Sequence, residues 1–191
     1  EKLLHGTPSG IDNTVIAYEQ PVYFVKGQPP EVFTVAQPFH LLIADTGIRS
    51  PTKITVGDVR AAWRREPERY EQMFRAIGEI VREAREIMES NISRLLPTSG
   101  APQGCFANVG LLVGALMTRN HALLREMDVS SPELDALAES ALDAGALGAK
   151  LSGGGRGGNL IALVTPETEG AVRAALERAG AKRVIGTVVG A

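Results

Sequence analysis

A single carboxylate, Asp12, stands in the string Ser9-Gly10-Ile11-Asp12-Asn13. Pro8 fixes one backbone angle and Gly10 permits a conformation closed to other residues, so Asp12 can be presented at a loop-to-helix junction and reach a ligand. A lone carboxylate so placed suits a general base. The local alternative is that Ser9 or Asp12 caps the helix that follows, which these residue types favour for reasons unconnected with catalysis.

The second stretch able to do chemistry is Lys150-Leu151-Ser152-Gly153-Gly154-Gly155-Arg156-Gly157-Gly158, five glycines within six positions. Successive N–H groups on such a loop can turn to one side and cradle an anion, with phosphate the natural ligand. Equally, the glycines can mark a tight turn where another backbone packs close. The sequence order reads helix, glycine loop, strand Leu160–Val164, whereas nucleotide-binding loops run from a strand into a helix, and no G-x-x-x-x-G-K-[ST] string occurs. Neither a Walker site nor a dinucleotide fingerprint is expected.

Glu1, eleven residues before Asp12, could divide metal binding and base catalysis with it, or be an ordinary terminal residue. Arg49, Ser50, Thr52 and Lys53 follow a strand, where a polar loop can reach a carboxylate or phosphate or can simply be a solvated turn. His40 and His121 show no paired ligand in the sequence and are read as structural.

Composition narrows the partners. The 191 residues carry 20 basic and 22 acidic side chains, scattered rather than blocked, so nucleic acid and anionic membranes are not expected. One cysteine, Cys105, and three histidines offer neither an internal disulfide nor a zinc pattern, which fits a reducing, cytoplasmic setting. The longest apolar run, 109–117, is far shorter than the roughly 18 residues of a spanning helix. The first residue is Glu1 rather than a methionine, and a piece of a longer protein is expected.

The elements that must position these residues read as follows. Strands are expected at 21–27, 31–36 and 39–47, parted by the Gly27–Pro30 turn and Pro38. Thr55 and Asp58 form a candidate capping box for a long amphipathic helix, or for two helices joined near Pro67. After a loop at 95–104, a helix over 106–127 is apolar nearly all round in its first half and is expected to bury its first turns. Ser131 and Pro132 start a further helix that stops near Gly145. The tail reads strand 160–164, helix 167–179, strand 183–189. The whole is α+β, with helices on one face of a mainly antiparallel sheet.

Taken together, Glu1-x-x-x-His5-Gly6-x-Pro8-Ser9-Gly10-x-Asp12-Asn13 and Gly148-Ala149-Lys150-Leu151-Ser152-Gly153-Gly154-Gly155 resemble the mevalonate kinase branch of the GHMP kinases. The segment Ala115–Leu137 is similar to that family's helix pair. Arg156 and Asn159 depart from the glycine and cysteine that many relatives carry there, and Arg49 does not clearly match a family arginine.

The resemblance implies a ferredoxin-like GHMP kinase C-terminal domain over 41–191. Residues 1–40 would be the tail of the N-terminal kinase domain, a short remnant holding the catalytic loop. It implies phosphoryl transfer from ATP to mevalonate, an early step of isoprenoid synthesis, with Asp12 catalytic, Ser9 and Thr52 on the substrate, Gly153, Gly154 and Gly155 at the nucleotide phosphates, and Glu1 on magnesium. The ATP-wrapping loop expected of the family's N-terminal half is not among the 191 residues, so the stretch is expected to be inactive alone. Its partners would be a small-molecule substrate and that other half, and a homodimer is one assembly compatible with this. The alternatives are another GHMP small-molecule kinase, such as one acting on phosphomevalonate, and a non-catalytic binding module.

Overall fold

The computed structural model describes residues 10–90 and 105–190, with the side chains of 12, 13 and 105–108 outside that description. Expectations for Glu1, Ser9 and the 95–104 loop therefore lie outside the described residues. In chain order the elements are α1 (Ile11–Tyr18), β1 (Val22–Tyr23), β2 (Glu31–Val32), β3 (Phe39–Asp45), α2 (Thr52–Arg65), α3 (Pro67–Glu89), α4 (Cys105–Glu126), α5 (Pro132–Asp143), β4 (Gly148–Ser152), β5 (Asn159–Val164), α6 (Glu169–Arg178) and β6 (Arg183–Val189).

β3 is the centre of the architecture. The four-stranded sheet runs β4-β5-β3-β6 with every neighbouring pair antiparallel. Read from β3 through β4, β5 and β6, with helices after the first and third strands, this is the ferredoxin-like split βαβ arrangement. The fold is α+β, as the sequence indicates.

Alternation along β3 divides the core in two. Leu42 and Ala44 are fully buried on one face, with Leu160, Ala162, Ala149 and Leu151 beside them, under Leu134 and Leu137 of α5 and Val172 and Leu176 of α6. Phe39 and Leu41 project to the other face with Leu163, against Val109 and Val113 of α4 and against Val35. Helices thus cover more than the single face expected, because α4 crosses the far end of the second face. Gly114 makes that crossing: a Cβ there would overlap the Leu147 carbonyl, so helix and strand meet backbone to backbone.

Several local expectations hold for the stated reasons. Pro67 divides the long amphipathic segment into two helices and occupies the first turn of α3, where its missing N–H costs nothing. Ser131 caps α5, its Oγ accepting the Leu134 amide at 3.4 Å. Pro132 follows in the first turn.

Three expectations are corrected. The Thr55–Asp58 capping box does not form: α2 begins three residues earlier, at Thr52, with Pro51 at the cap position. Thr55 is instead 2% exposed within the helix. The first turns of α4 are not wholly buried, since Leu111 and Leu112 are nearly half exposed. Where the sequence pattern reads as helix running into the glycine loop, a strand, β4, intervenes, and the loop therefore joins two antiparallel strands.

The β1–β2 hairpin is held to α3 by one side chain. The Arg85 guanidinium lies 4.6 Å from the Tyr23 ring centroid and pairs with Glu31 at 2.9 Å. The Ala36 amide then caps the end of α3 by donating to the Met88 carbonyl. Among the described residues no helix is long and apolar enough to cross a membrane.

Candidate active site

At one end of the sheet, three strands deliver a polar row. Asp45, Asn159 and Ser152 stand in register on β3, β5 and β4, and alternation places them on the second face. α4 covers the opposite end of that face. A cavity of about 640 Å³ opens here, lined by this row, by the glycine loop and by Gly47–Ser50. Its size lies in the ~300–1,000 Å³ range of small-molecule sites.

The glycines of the loop are needed by close packing. Side chains at Gly154 and Gly157 would stand 2.5 Å from Thr52 Oγ1 and 2.6 Å from the Ile48 carbonyl oxygen, and one at Gly155 would overlap the Val129 carbonyl. Gly153, by contrast, faces open space. Two loop amides are already committed, Arg156 N–H to the Val129 carbonyl at 2.8 Å and Gly158 N–H to the Ile48 carbonyl at 2.9 Å. The amides of Gly153, Gly154 and Gly155 donate to no backbone carbonyl among the described residues. Close packing therefore explains the glycines at 154, 155 and 157, while the amides of 153–155 remain donors at a cavity wall.

The segment after β3 is pinned to the same loop. Thr46 donates twice to the Gly158 carbonyl, through its amide and its Oγ1, both at 2.9 Å. Asp45 Oδ1 accepts the Gly47 amide at 2.8 Å, closing a turn that Gly47 takes with a positive φ of 73°. This turn presents Arg49 and Ser50 to the cavity and leads α2 in with Thr52 against Gly154.

Arg156 itself adopts φ 54°, a left-handed conformation that costs a residue with a Cβ roughly 1–2 kcal/mol. Three side-chain contacts, reaching elements on both sides of the loop, offset that cost. Its Nη1 pairs with Asp58 of α2, its Nη2 with Asp128 Oδ2 at 2.7 Å, and its Nε donates to the Asp128 carbonyl at 3.0 Å. The two carboxylates hold its guanidinium above the usual arginine range, Asp58 by a side-chain hydrogen bond first of all.

Below the loop, His121 of α4 reaches the outer edge of β4. Its Nδ1 accepts the Leu151 amide at 3.2 Å, satisfying an edge-strand donor and requiring a neutral ring with its proton on Nε2. Nε2 lies 3.2 Å from Asp135 Oδ1, but at an angle that makes no directed hydrogen bond. Burial pushes the His121 pKa down, against the opposing pull of Asp135, while Arg125 and Lys150 add to the lowering. Burial likewise lowers the pKa of Lys150, whose Nζ donates to the Leu151 carbonyl at 2.7 Å. His40 lies 4.0 Å from Glu169 on the helical side of the sheet, apart from the cavity.

The sequence-derived candidates are thus partly united. Gly153–Gly155 line the cavity, and Thr52 abuts Gly154. Gly10 holds φ 85° before α1, so the backbone turn expected of it forms, and Asp12 occupies the second position of that helix. The N-cap residue is Gly10, so Asp12 lies within the helix rather than at its cap position. Asp45 and the Asp58–Arg156–Asp128 group were missed. A charged residue set among five glycines was the signal for the latter.

The residues present fit a phosphate group, since donors at Gly153–Gly155 and the Arg49 side chain border one cavity. Among the described residues no group of three or more His, Cys, Asp or Glu is placed to hold a cation.

Residues 105–182 match the family model described as GHMP kinases C terminal, and the α+β fold is that of a GHMP kinase C-terminal domain. Within that class the chain is similar to mevalonate kinases: 33% identical over 185 residues to that of Pyrococcus furiosus and 32% to that of Thermococcus sibiricus. Each alignment covers 97% of this chain and 51% of the relative. The structure superposes on L. major mevalonate kinase in complex with R-mevalonate with a TM-score of 0.79 and 31% identity, covering 97% of this chain and 53% of the other. The chain spans about half the length of the curated relatives it matches.

Proposed function

We propose that the complete protein carrying this chain transfers the γ-phosphoryl group of ATP to the primary hydroxyl of mevalonate. The observation that carries this reading is the meeting of Thr52 with Gly154 at a cavity that has free loop amides on one wall and the Asp45–Ser50 turn on the other. A phosphoryl donor and an alcohol acceptor both need such a wall, and relatives with mevalonate kinase as their name align across it.

In this reading the amides of Gly153, Gly154 and Gly155 face the nucleotide phosphates, and Thr52 and Ser9 contact the acceptor. Asp12 accepts or orients the hydroxyl proton as the oxygen attacks in line. Magnesium, if bound with the nucleotide, would neutralise phosphate charge, and Glu1 would contribute to holding it. Phosphoryl transfer asks little covalent chemistry of a protein, so positioning and electrostatics carry the rate. The 191 residues alone are proposed to be inactive, the residues before β3 to belong to the N-terminal kinase domain, and the setting to be cytoplasmic.

The test is an acceptor panel. The complete protein is incubated with magnesium-ATP and mevalonate, phosphomevalonate, homoserine or galactose, and products are read by phosphorus NMR. Phosphomevalonate formed from mevalonate alone supports the assignment; turnover of another acceptor in its place moves the protein elsewhere among GHMP kinases, and no turnover removes the kinase reading.

A further inference from the structure

Arg156 is the one loop residue between Gly153 and Gly158 that carries a side chain. It spends that side chain on two other elements. Through Asp58 it grips α2, the helix that begins at Thr52, and through the Asp128 side chain and carbonyl it grips the turn between α4 and α5. Its own amide adds a fourth tie, to Val129. The loop and α2 also touch directly, where Gly154 abuts Thr52. A grip and a contact at two separate points fix both the distance and the rotation between the phosphate-facing amides and Thr52, whereas the contact alone would leave a pivot.

We propose that Arg156 is a positioning residue that locks the glycine loop to α2 and so sets the nucleotide phosphates against the acceptor; this rests on the kinase reading above. The ion pairs are partly exposed, Asp128 by 85% and Asp58 by 54% of their side chains, so they add little to global stability. Their effect falls on local geometry, where a shift of about 1 Å can cost on the order of a hundredfold.

The experiment uses the complete protein and the variants Arg156→Ala, Arg156→Lys, Asp58→Asn and the double variant Arg156→Ala/Asp58→Asn. Hydrogen exchange of the Arg156 and Gly158 amides, the hydrogen-bonded ones of the loop, is measured without substrate, beside KM for ATP and for mevalonate. For Arg156→Ala the expected result is loop exchange faster by about tenfold or more with other segments unchanged, and KM for ATP raised about tenfold while KM for mevalonate stays within about twofold. Arg156→Lys should recover part of the change, and Asp58→Asn should add nothing once Arg156 is gone. Loop exchange unchanged in Arg156→Ala, or a loss of activity that follows the unfolded fraction with both KM values constant, overturns the proposal. The exchange measurement needs no turnover, so a wild-type protein inactive on mevalonate would remove the kinase reading while leaving the positioning role decided.

Discussion

Gly154 and Thr52 lie so close that a single methyl group on the glycine would stand 2.5 Å from the threonine hydroxyl oxygen. These residues are about a hundred positions apart, and their contact joins the two sides of the candidate site. Gly154→Ala should therefore lower stability by about 1–3 kcal/mol, the usual cost of overpacking. Thr52→Ala in the same chain should recover part of the loss by removing Oγ1 and Cγ2. Denaturant midpoints of the two single variants and the double give the coupling; strict additivity would show that the contact does not exist in solution.

Gly155 and Gly153 separate packing from conformation. Both have positive φ, 77° and 97°, but only at Gly155 would a side chain meet backbone, the Val129 carbonyl. Gly153→Ala should cost about 1–2 kcal/mol for the left-handed conformation alone. Gly155→Ala should cost clearly more, and equal losses in chemical denaturation would contradict the geometry.

Thr55 offers a gain. Its Oγ1 is buried with no hydrogen-bond partner, and an unmatched buried hydroxyl costs about 1–3 kcal/mol. Thr55→Val keeps the shape and removes the oxygen, so it should raise the unfolding free energy by about 1 kcal/mol. A loss of stability would mean that the hydroxyl is satisfied.

His121 gives stability a pH dependence of known sign. Because burial lowers its folded pKa, the unfolded chain binds the proton more readily, and stability rises with pH across the interval. The contribution is complete above the unfolded value of about 6.5 and is lost as pH falls through the lower folded value. The slope from this one group cannot exceed about 1.4 kcal/mol per pH unit. His121→Gln keeps an acceptor for the Leu151 amide without titrating, so its stability profile should be flatter than wild type as pH falls below about 6.5. Parallel profiles would refute the assignment.

What the sequence made legible was local. Ser131-Pro132, Pro67 and the period of the last strand-helix-strand unit act within a turn or two of themselves, and each element they mark appears. β4 escaped notice because Gly148-Ala149-Lys150-Leu151-Ser152 contains one large apolar side chain; its strand character comes from pairing with β5 and from His121 on its free edge. Asp58 was read as a cap residue three positions from Thr55, while its partner is Arg156, 98 residues away. The glycine loop showed the same limit: its composition allowed an anion cradle or close packing, and only the carbonyls of Val129 and Ile48, supplied by distant segments, reveal that packing requires glycine at 155 and 157.

The central claim, that Asp12 is the base for phosphoryl transfer to an alcohol, is tested most directly by single-turnover transfer from magnesium-ATP to mevalonate in the complete protein and its Asp12→Asn variant. The expected result is a rate about 10²–10⁴-fold lower in the variant, with mevalonate binding within a few fold of wild type. A variant that transfers phosphate at near the wild-type rate would contradict it.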